Sequence, residues 1–205
     1  MKDVVKLYWK LREISKAHGD EVAKIFSIAS YEHPAGFFRM AFNNITLTIE
    51  LLNYYERLWS RIKSTSCSSI AEAREQNSQR VIMVQKMSFI EIMSSFEFCS
   101  KRIVQGGSKF GSFSGRIYLS GIMSKAKDIG IIDDTKLTLW NGAIRLRNSL
   151  VHNNGISEET ETYSYPDITI QVIDGKMTQG NLNFFGLLTK WVLNESKDWI
   201  VDANK

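Results

Sequence analysis

Residues 134–155 read DTKLTLWNGAIRLRNSLVHNNG, and the clearest indication of the fold lies in this stretch. Steps of three or four residues from Asp134 meet only polar side chains, namely Thr138, Asn141, Arg145, Asn148 and His152. On a helix these residues share one face, which we call the polar seam. The rest of the circumference is mostly apolar, so the pattern predicts a helix over 135–152 that packs on most sides. Because buried polar groups without partners are costly, the seam should face solvent, a cleft or a second chain.

Helical spacing of apolar residues extends over most of the remaining chain. Start and stop signals divide it: His18-Gly19 ends one segment, Asp20 begins the next, and a capping box from Ser69 to Glu72 precedes a long one. Only two prolines occur in 205 residues, which also favours helices over an all-β fold. We therefore predict further helices over 3–18, 20–33, 36–63, 69–104, 116–129 and 181–201.

One segment alternates in the manner of a β-strand. Residues 168–173 place apolar side chains at every second position, Asp174-Gly175 is typical of a type I′ turn, and residues 176–178 would form the returning strand. No internal repeat divides the chain. The sequence thus predicts an all-α helical bundle of one domain, residues 1–205, with one small β-hairpin at about 167–178 before the last helix.

The composition is that of a globular protein rather than a disordered chain, with 43% hydrophobic and 23% charged residues. No apolar run approaches the roughly 18 residues that a membrane span requires, and the first residues lack the apolar stretch of a signal peptide. Cys67 and Cys99 show no disulfide or metal-binding spacing. We therefore expect a cytoplasmic protein without a membrane partner, and the net charge of +4 permits a polyanionic partner such as RNA.

Arg147 and His152 form a candidate reactive pair at the end of the 135–152 helix. Five residues separate them, so their side chains would diverge on an uninterrupted helix. The turn signal Asn153-Asn154-Gly155 indicates that the helix ends at His152, where the backbone can bend and a long guanidinium can reach the imidazole. A guanidinium binds phosphate oxygens in pairs, and histidine exchanges protons near neutral pH. This pair of residues is therefore suited to chemistry on a phosphate group.

The hexapeptide Arg147-Asn148-Ser149-Leu150-Val151-His152 resembles the R-N/D-x-x-x-H signature of the HEPN superfamily (higher eukaryotes and prokaryotes nucleotide-binding domains), and the predicted bundle is similar to HEPN domains. The resemblance implies a core helix that ends in the signature, with the helices of 3–63 as a family-specific extension. It also implies a homodimer whose two signatures line one cleft. The activity it implies is that of a metal-independent endoribonuclease without a cofactor, acting as a toxin or defence effector.

The resemblance also assigns roles to individual residues. The RNA 2′-hydroxyl would attack the adjacent phosphorus and leave a 2′,3′-cyclic phosphate. His152 would transfer protons, Arg147 would hold the phosphate, and Asn148 would orient the pair or contact the RNA backbone. Arg145 either assists phosphate binding or forms a surface salt bridge. HEPN toxins neutralised by a nucleotidyltransferase antitoxin carry a tyrosine two residues after the histidine, where this chain has Asn154, so that type of antitoxin is not expected.

Other interpretations of the same residues stay open. Arg147 and His152 could cap the helix and pair with a carboxylate, either in a non-catalytic module that binds nucleotide or RNA or in a scaffold without a site. Glu97 either pairs with Lys101 one turn away or faces the cleft and orients Arg147. The Gly/Ser-rich loop 105–115 is either a connector or part of a phosphate-contacting patch. The cations of that patch would be Lys101, Arg102, Lys109 and Arg116.

Overall fold

The computed structural model describes residues 1–64, 70–113, 115–152, 155–176 and 181–205. Within these residues the elements are α1 (Lys2–Phe26), α2 (Gly36–Ser64), α3 (Ile70–Gly106), α4 (Leu119–Asp128), α5 (Asp134–His152), β1 (Glu161–Tyr165), β2 (Ile168–Val172) and α6 (Phe184–Asn204). The predicted class, an all-α bundle with a small hairpin before the last helix, is confirmed. None of the described helices is both long and apolar enough to cross a membrane.

The first two predicted helices are one continuous helix, α1. The predicted stop at 18–19 and the separate helix at 20–33 are therefore wrong. Gly19 is buried, and a Cβ added to it would lie 3.1 Å from the Cβ of Phe38 on α2. Close packing of the two helices thus accounts for the glycine and outweighs its low helix propensity. The helix ends instead at Ser27, whose left-handed backbone (φ 54°) closes the last turn.

α2 and α3 form a long antiparallel pair. Asn77 Nδ2 donates a hydrogen bond to the Tyr55 backbone carbonyl (3.2 Å), and the Ser88 hydroxyl donates one to Asn44 Oδ1 (2.6 Å). The bounds of α2 and the end of α3 agree closely with the predictions. The predicted break and the Ser69 cap fall within 65–69, outside the described residues.

Large aromatic side chains hold α3, α5 and α6 together. Phe96 stacks on Trp140 with ring centroids 4.9 Å apart and packs edge-on against Trp199 at 5.6 Å. Trp140 also contacts Trp191, with centroids 5.0 Å apart. Each buried aromatic removes roughly 150–250 Å² from water, so this cluster strongly fixes α3 against α5. Glu97, the residue after Phe96, is thereby held at the α3–α5 boundary.

The N-terminal helices share a core with the rest of the chain. Leu7 of α1 lies so close to Gly186 of α6 that a Cβ on the glycine would come within 2.6 Å of Leu7 Cδ2. His18 Nε2 on α1 lies at hydrogen-bonding distance, 2.8 Å, from Asn194 Oδ1 on α6. The predicted extension, 3–63, therefore packs into the bundle and does not stand apart from it.

The Gly/Ser-rich loop after α3 is anchored to the bundle. A short 3₁₀ turn, Ser108–Phe110, follows α3, and Phe110 is buried against Trp199 with ring centroids 5.9 Å apart. The ammonium of Lys125 on α4 donates a hydrogen bond to the Ser112 carbonyl (2.6 Å). α4 begins later than the predicted 116, because the backbone is still extended at Tyr118.

The β-hairpin forms with a different partner strand from the one predicted. β2 agrees with the predicted strand, but it pairs antiparallel with β1 around a turn at Pro166-Asp167. The predicted return strand is absent at Lys176, while 177–178 lie outside the described residues. Tyr163 of β1 is buried against Gly142 of α5, where a Cβ would lie 2.7 Å from its ring. Burial of the β1 tyrosines on α5 favours this pairing, since burying an aromatic ring gains far more than a short polar return strand can.

Candidate functional site

α5 carries the polar seam on its exposed side, as predicted. Asp133 Oδ1 accepts a hydrogen bond from the Lys136 amide (2.7 Å) and caps the start of the helix. The buried residues of α5 are Trp140, Gly142, Ala143, Ile144 and Leu146. The exposed seam residues are Asp134, Thr138, Arg145, Asn148 and His152, whereas Asn141 is half-buried. The seam is therefore available to a ligand or a second chain.

His152 is the last residue of α5, as the turn signal predicted. The Gly155 amide donates a hydrogen bond to the Ser149 carbonyl (2.8 Å), and Gly155 adopts a positive φ of 86°, as is usual just beyond a helix end. Asn153 and Asn154 lie outside the described residues. The His152 ring is exposed and forms no hydrogen bond or ion pair with the described part of the chain. Its nitrogens are therefore accessible to a ligand.

Arg147, Asn148 and His152 line one cavity of about 190 Å³, which we call the arginine–histidine cavity. The other walls are formed by Met93, Glu97, Tyr118, Leu119, Ser120 and Ile144. Small-molecule sites usually exceed roughly 300 Å³, so this cavity suits a phosphate-sized group rather than a complete nucleotide. The structure thus brings three of the four predicted site residues to one place.

Arg147 is held in this cavity by two acceptors. Its Nη2 donates a hydrogen bond to Glu97 Oε2 on α3, and its Nη1 donates one to Asn148 Oδ1 at 2.9 Å. Glu97 Oε1 also accepts from the Lys101 ammonium at 2.7 Å. Both interactions considered for Glu97 are therefore present together: it pairs with Lys101 and orients Arg147.

The charges around Glu97 favour its ionised form. Partial burial opposes ionisation, but the hydrogen bond from Lys101 and the positive charge of Arg147 outweigh it, so the pKa of Glu97 lies below its ordinary value. The three residues carry two positive charges and one negative charge. An excess of one positive charge therefore remains in this group beside the cavity, which Glu97 and Arg147 line and Lys101 does not.

Arg145 points away from this cavity. Its Nη1 forms salt bridges with Glu159 and with Glu161, the latter at 2.7 Å, and it lies 3.2 Å from the Tyr163 hydroxyl. The salt bridge predicted as the alternative role is therefore present, and two carboxylates neutralise the charge that phosphate binding would need. Arg145 lines a neighbouring cavity of about 330 Å³, which shares Asn148 and His152 with the first.

The four cations predicted as a phosphate-contacting patch have separate neighbours. These pairs are Lys101 with Glu97, Lys109 with the Asp202 carbonyl, Arg102 with the Phe98 ring and Arg116 with the Tyr118 ring. Tyr118 and Ser120, at the start of α4, were not predicted as site residues, because no local pattern links them to α5, a separate helix that begins only at Asp134. The site is completed by tertiary packing.

Comparison of the chain with protein-family models, with curated proteins and with solved structures found no match. Among the residues that the structure describes, no three His, Cys, Asp or Glu side chains are grouped so that they could hold a metal ion.

Proposed function

We propose that this protein is a metal-independent endoribonuclease of the HEPN type that acts as a homodimer in the cytosol. One observation carries the proposal: Arg147, oriented by Glu97, and the accessible ring of His152 line the same small cavity. A fixed guanidinium can bind the phosphate and a proton-exchanging imidazole can transfer protons, and together they can promote cleavage of RNA by its own 2′-hydroxyl.

In the proposed reaction the ribose 2′-oxygen bonds to phosphorus, and the bond from phosphorus to the 5′-oxygen of the next nucleotide breaks. The 2′-hydroxyl gives up its proton and the departing 5′-oxygen gains one, so the strand is cut without an outside nucleophile. His152 exchanges these protons, the second transfer falling to the same ring or to His152 of a second copy. Arg147 binds the non-bridging oxygens and stabilises their developing charge.

The pairing with Glu97 supports this role for Arg147. A guanidinium stays charged at every relevant pH, so the carboxylate restricts its position without removing its proton. Arg147 keeps only one-fifth of its side chain exposed, which limits its freedom further. Orientation before the substrate arrives lowers the entropic cost of binding the transition state.

Exposed apolar side chains around the site support the homodimer. Tyr118 and Ile156 are 53% and 43% exposed and line the two cavities that share His152, and Val151, the residue before His152, is 48% exposed. Apolar groups clustered beside a polar site are typical of a protein–protein contact. A second copy packed on this surface would cover them and bring two arginine–histidine cavities together.

A non-catalytic RNA- or nucleotide-binding module is the second candidate. The observation that favours it is the salt bridge itself, since Glu97 offsets part of the charge with which Arg147 would stabilise a transition state. Binding of a single phosphate demands less charge than cleavage does. The two candidates therefore differ in turnover and not in the location of the ligand.

An RNase assay with the purified protein in EDTA separates the two candidates. The wild type should cleave single-stranded RNA, and His152→Ala and Arg147→Ala should each lower the rate by about a hundredfold or more. Arg80→Ala, an exposed arginine far along α3, is the control for loss of charge and should retain full activity. Light scattering checks that each variant keeps the oligomeric state of the wild type. RNA binding without cleavage would favour the second candidate, and cleavage that persists in both site variants would exclude the first.

A further inference from the structure

A third cavity, of about 320 Å³, lies between α2 and α3 and shares no residue with the arginine–histidine cavity. We call it the Phe98 cavity. Two of its walls are aromatic side chains with unusual exposure, 68% for Tyr31 and 57% for Phe98. Aromatic rings contribute most to stability or binding when they are buried. Two exposed rings at one cavity therefore indicate a surface that a flat ligand can cover.

The same cavity is positively charged. Arg39 and Arg102 are exposed at its rim, and the Arg102 guanidinium carbon lies 5.9 Å from the centroid of the Phe98 ring. His33 also lines it, with Nε2 at hydrogen-bonding distance, 3.1 Å, from the Cys99 carbonyl. None of the described residues that line the cavity is acidic. Aromatic faces beside guanidinium groups are the combination that binds unpaired bases and their phosphates.

The Phe98 cavity lies beside the proposed cleavage site, part of the way around the circumference of α3. Phe98 directly follows Glu97, and Arg102 directly follows Lys101, so each step turns by about 100° from one cavity towards the other. The two cavities are therefore separated by about one helix diameter, roughly 10 Å. Lys101, half-exposed, lies between them on the helix surface. An extended nucleic-acid strand can pass over α3 and contact both.

We infer that the Phe98 cavity binds one nucleotide of single-stranded RNA, its base against Phe98 and Tyr31 and its phosphate against Arg39 and Arg102. RNA is named as the nucleic acid because the inference rests on the proposed function. The bound nucleotide lies next to the cleavage site on the same strand. A duplex fits poorly, since its bases are already stacked on one another and their faces are not available.

Fluorescence anisotropy with a labelled 2′-O-methyl oligoribonucleotide of about 12 nucleotides tests this inference. The probe lacks the 2′-hydroxyl nucleophile and stays intact whether or not the protein is a nuclease. The full chain carrying Phe98→Ala or Arg102→Ala is compared with the wild type. Both side chains are exposed, and substitutions at such positions usually change stability little. The matched controls are Met83→Ala and Arg80→Ala, exposed positions of α3 that lie about 22 and 33 Å away along the helix.

We expect Phe98→Ala to weaken binding by about 5- to 100-fold, the loss expected for one stacked base. Arg102→Ala should weaken binding and lower the slope of log affinity against log salt concentration by about 0.7, because one phosphate contact is lost. The two controls should bind within about twofold of the wild type. Equal affinity in all five proteins would overturn the inference, as would equally tight binding of a duplex. A dimer that dissociates in Phe98→Ala would also overturn it, because the surface would then be a subunit interface.

These experiments distinguish a failure of the Phe98-cavity inference from a failure of the proposed nuclease function. If the wild type does not cleave RNA but both variants lose affinity for the probe, the Phe98 cavity stands and the nuclease proposal falls. If the wild type cleaves RNA while both variants bind the probe like the wild type, the nuclease proposal stands and the inference falls.

Discussion

Replacing Glu97 with glutamine tests whether this carboxylate holds Arg147 in place. The Glu97 and Arg147 side chains are 14% and 20% exposed, so the pair is neither fully buried nor freely solvated. Hydrogen bonds to charged groups contribute about 1.5–3 kcal/mol, whereas exposed ion pairs contribute less than about 1 kcal/mol. We expect Glu97→Gln to lower the free energy of unfolding by about 2 kcal/mol at pH 7. For a chain of this length the Tm should fall by roughly 4–8 °C.

The expected loss depends on pH. Burial opposes ionisation of Glu97, but the hydrogen bond from Lys101 and the charge of Arg147 prevail and place its pKa below the ordinary value. A carboxylate with a lowered pKa in the folded state contributes its full stability above the pKa of the unfolded chain, about 4.3. That contribution is lost as the pH falls through the folded-state pKa. The difference between wild type and Glu97→Gln should therefore be largest at neutral pH and shrink as the pH falls below about 4.

Urea denaturation followed by circular dichroism measures both effects. A double-mutant cycle with Arg147→Met isolates the pair, and we expect a coupling energy of about 1–2 kcal/mol at pH 7. Glu91→Gln, an exposed carboxylate on the same helix, is the matched control and should leave stability unchanged. A Glu97→Gln variant as stable as the wild type, or a coupling energy near zero, would refute the idea that Glu97 orients Arg147.

Three further predictions concern the surroundings of the site. Gly142→Ala places a Cβ within 2.7 Å of the Tyr163 ring and should lower the free energy of unfolding, measured by thermal unfolding, by about 1–3 kcal/mol. Gly121→Ala, with open space around the glycine, is the control and should leave the free energy of unfolding unchanged. Equal stability of the two variants would contradict the packing of Tyr163 on Gly142. Phe110→Ala should cost about 3 kcal/mol and expose the loop around it to limited proteolysis, whereas an unchanged cleavage pattern would show that the loop is not anchored. Burial raises the pKa of the Cys99 thiol to about 12. In a Cys67→Ser background, a thiol reagent at pH 8 should therefore label Cys99 in the folded chain more than about a hundredfold slower than in the unfolded chain. Rapid labelling of the folded chain would place Cys99 at the surface.

The class of fold was predictable from the sequence because helices depend mainly on local periodicity. α2, α3 and α5 have apolar residues at regular intervals over many turns, and the end of α5 at His152 follows from the local turn signal. The stop at Gly19 was wrong for a tertiary reason, since the glycine accommodates Phe38 of α2 and does not end a helix. From the sequence alone, a glycine that ends a helix cannot be distinguished from a glycine that lets two helices pack closely.

The strand pairing shows the same limit. The alternation over 168–173 predicts the observed strand, but the Asp174-Gly175 turn signal predicts that its partner strand follows it in the chain. That turn does form, with the Lys176 amide donating to the Ile173 carbonyl at 3.0 Å, yet it joins no pair of strands within the described residues. The tyrosines of β1 and the Pro166-Asp167 turn were visible in the sequence. Their packing on α5, which favours the observed pairing, was not.

The candidate site was predictable only where its residues are neighbours in sequence. Arg147, Asn148 and His152 lie within one hexapeptide, and the structure places them on one cavity. The partner of Arg147 lies fifty residues earlier, so the sequence left two roles open for Glu97, pairing with Lys101 and orienting Arg147. Arg145 shares the seam with His152, but the carboxylates of Glu159 and Glu161 that bind it come from a later part of the chain.

Cleavage of a DNA strand that contains one ribonucleotide is the most direct test of the central claim. If Arg147 and His152 promote attack by a 2′-hydroxyl, the wild type in EDTA should cut only after the ribonucleotide and leave a 2′,3′-cyclic phosphate, identified by mass spectrometry. His152→Ala should slow this cut by about 10²- to 10⁴-fold. Cleavage of the all-deoxy strand, a product with a free 3′-hydroxyl, or the absence of any cut would contradict the account.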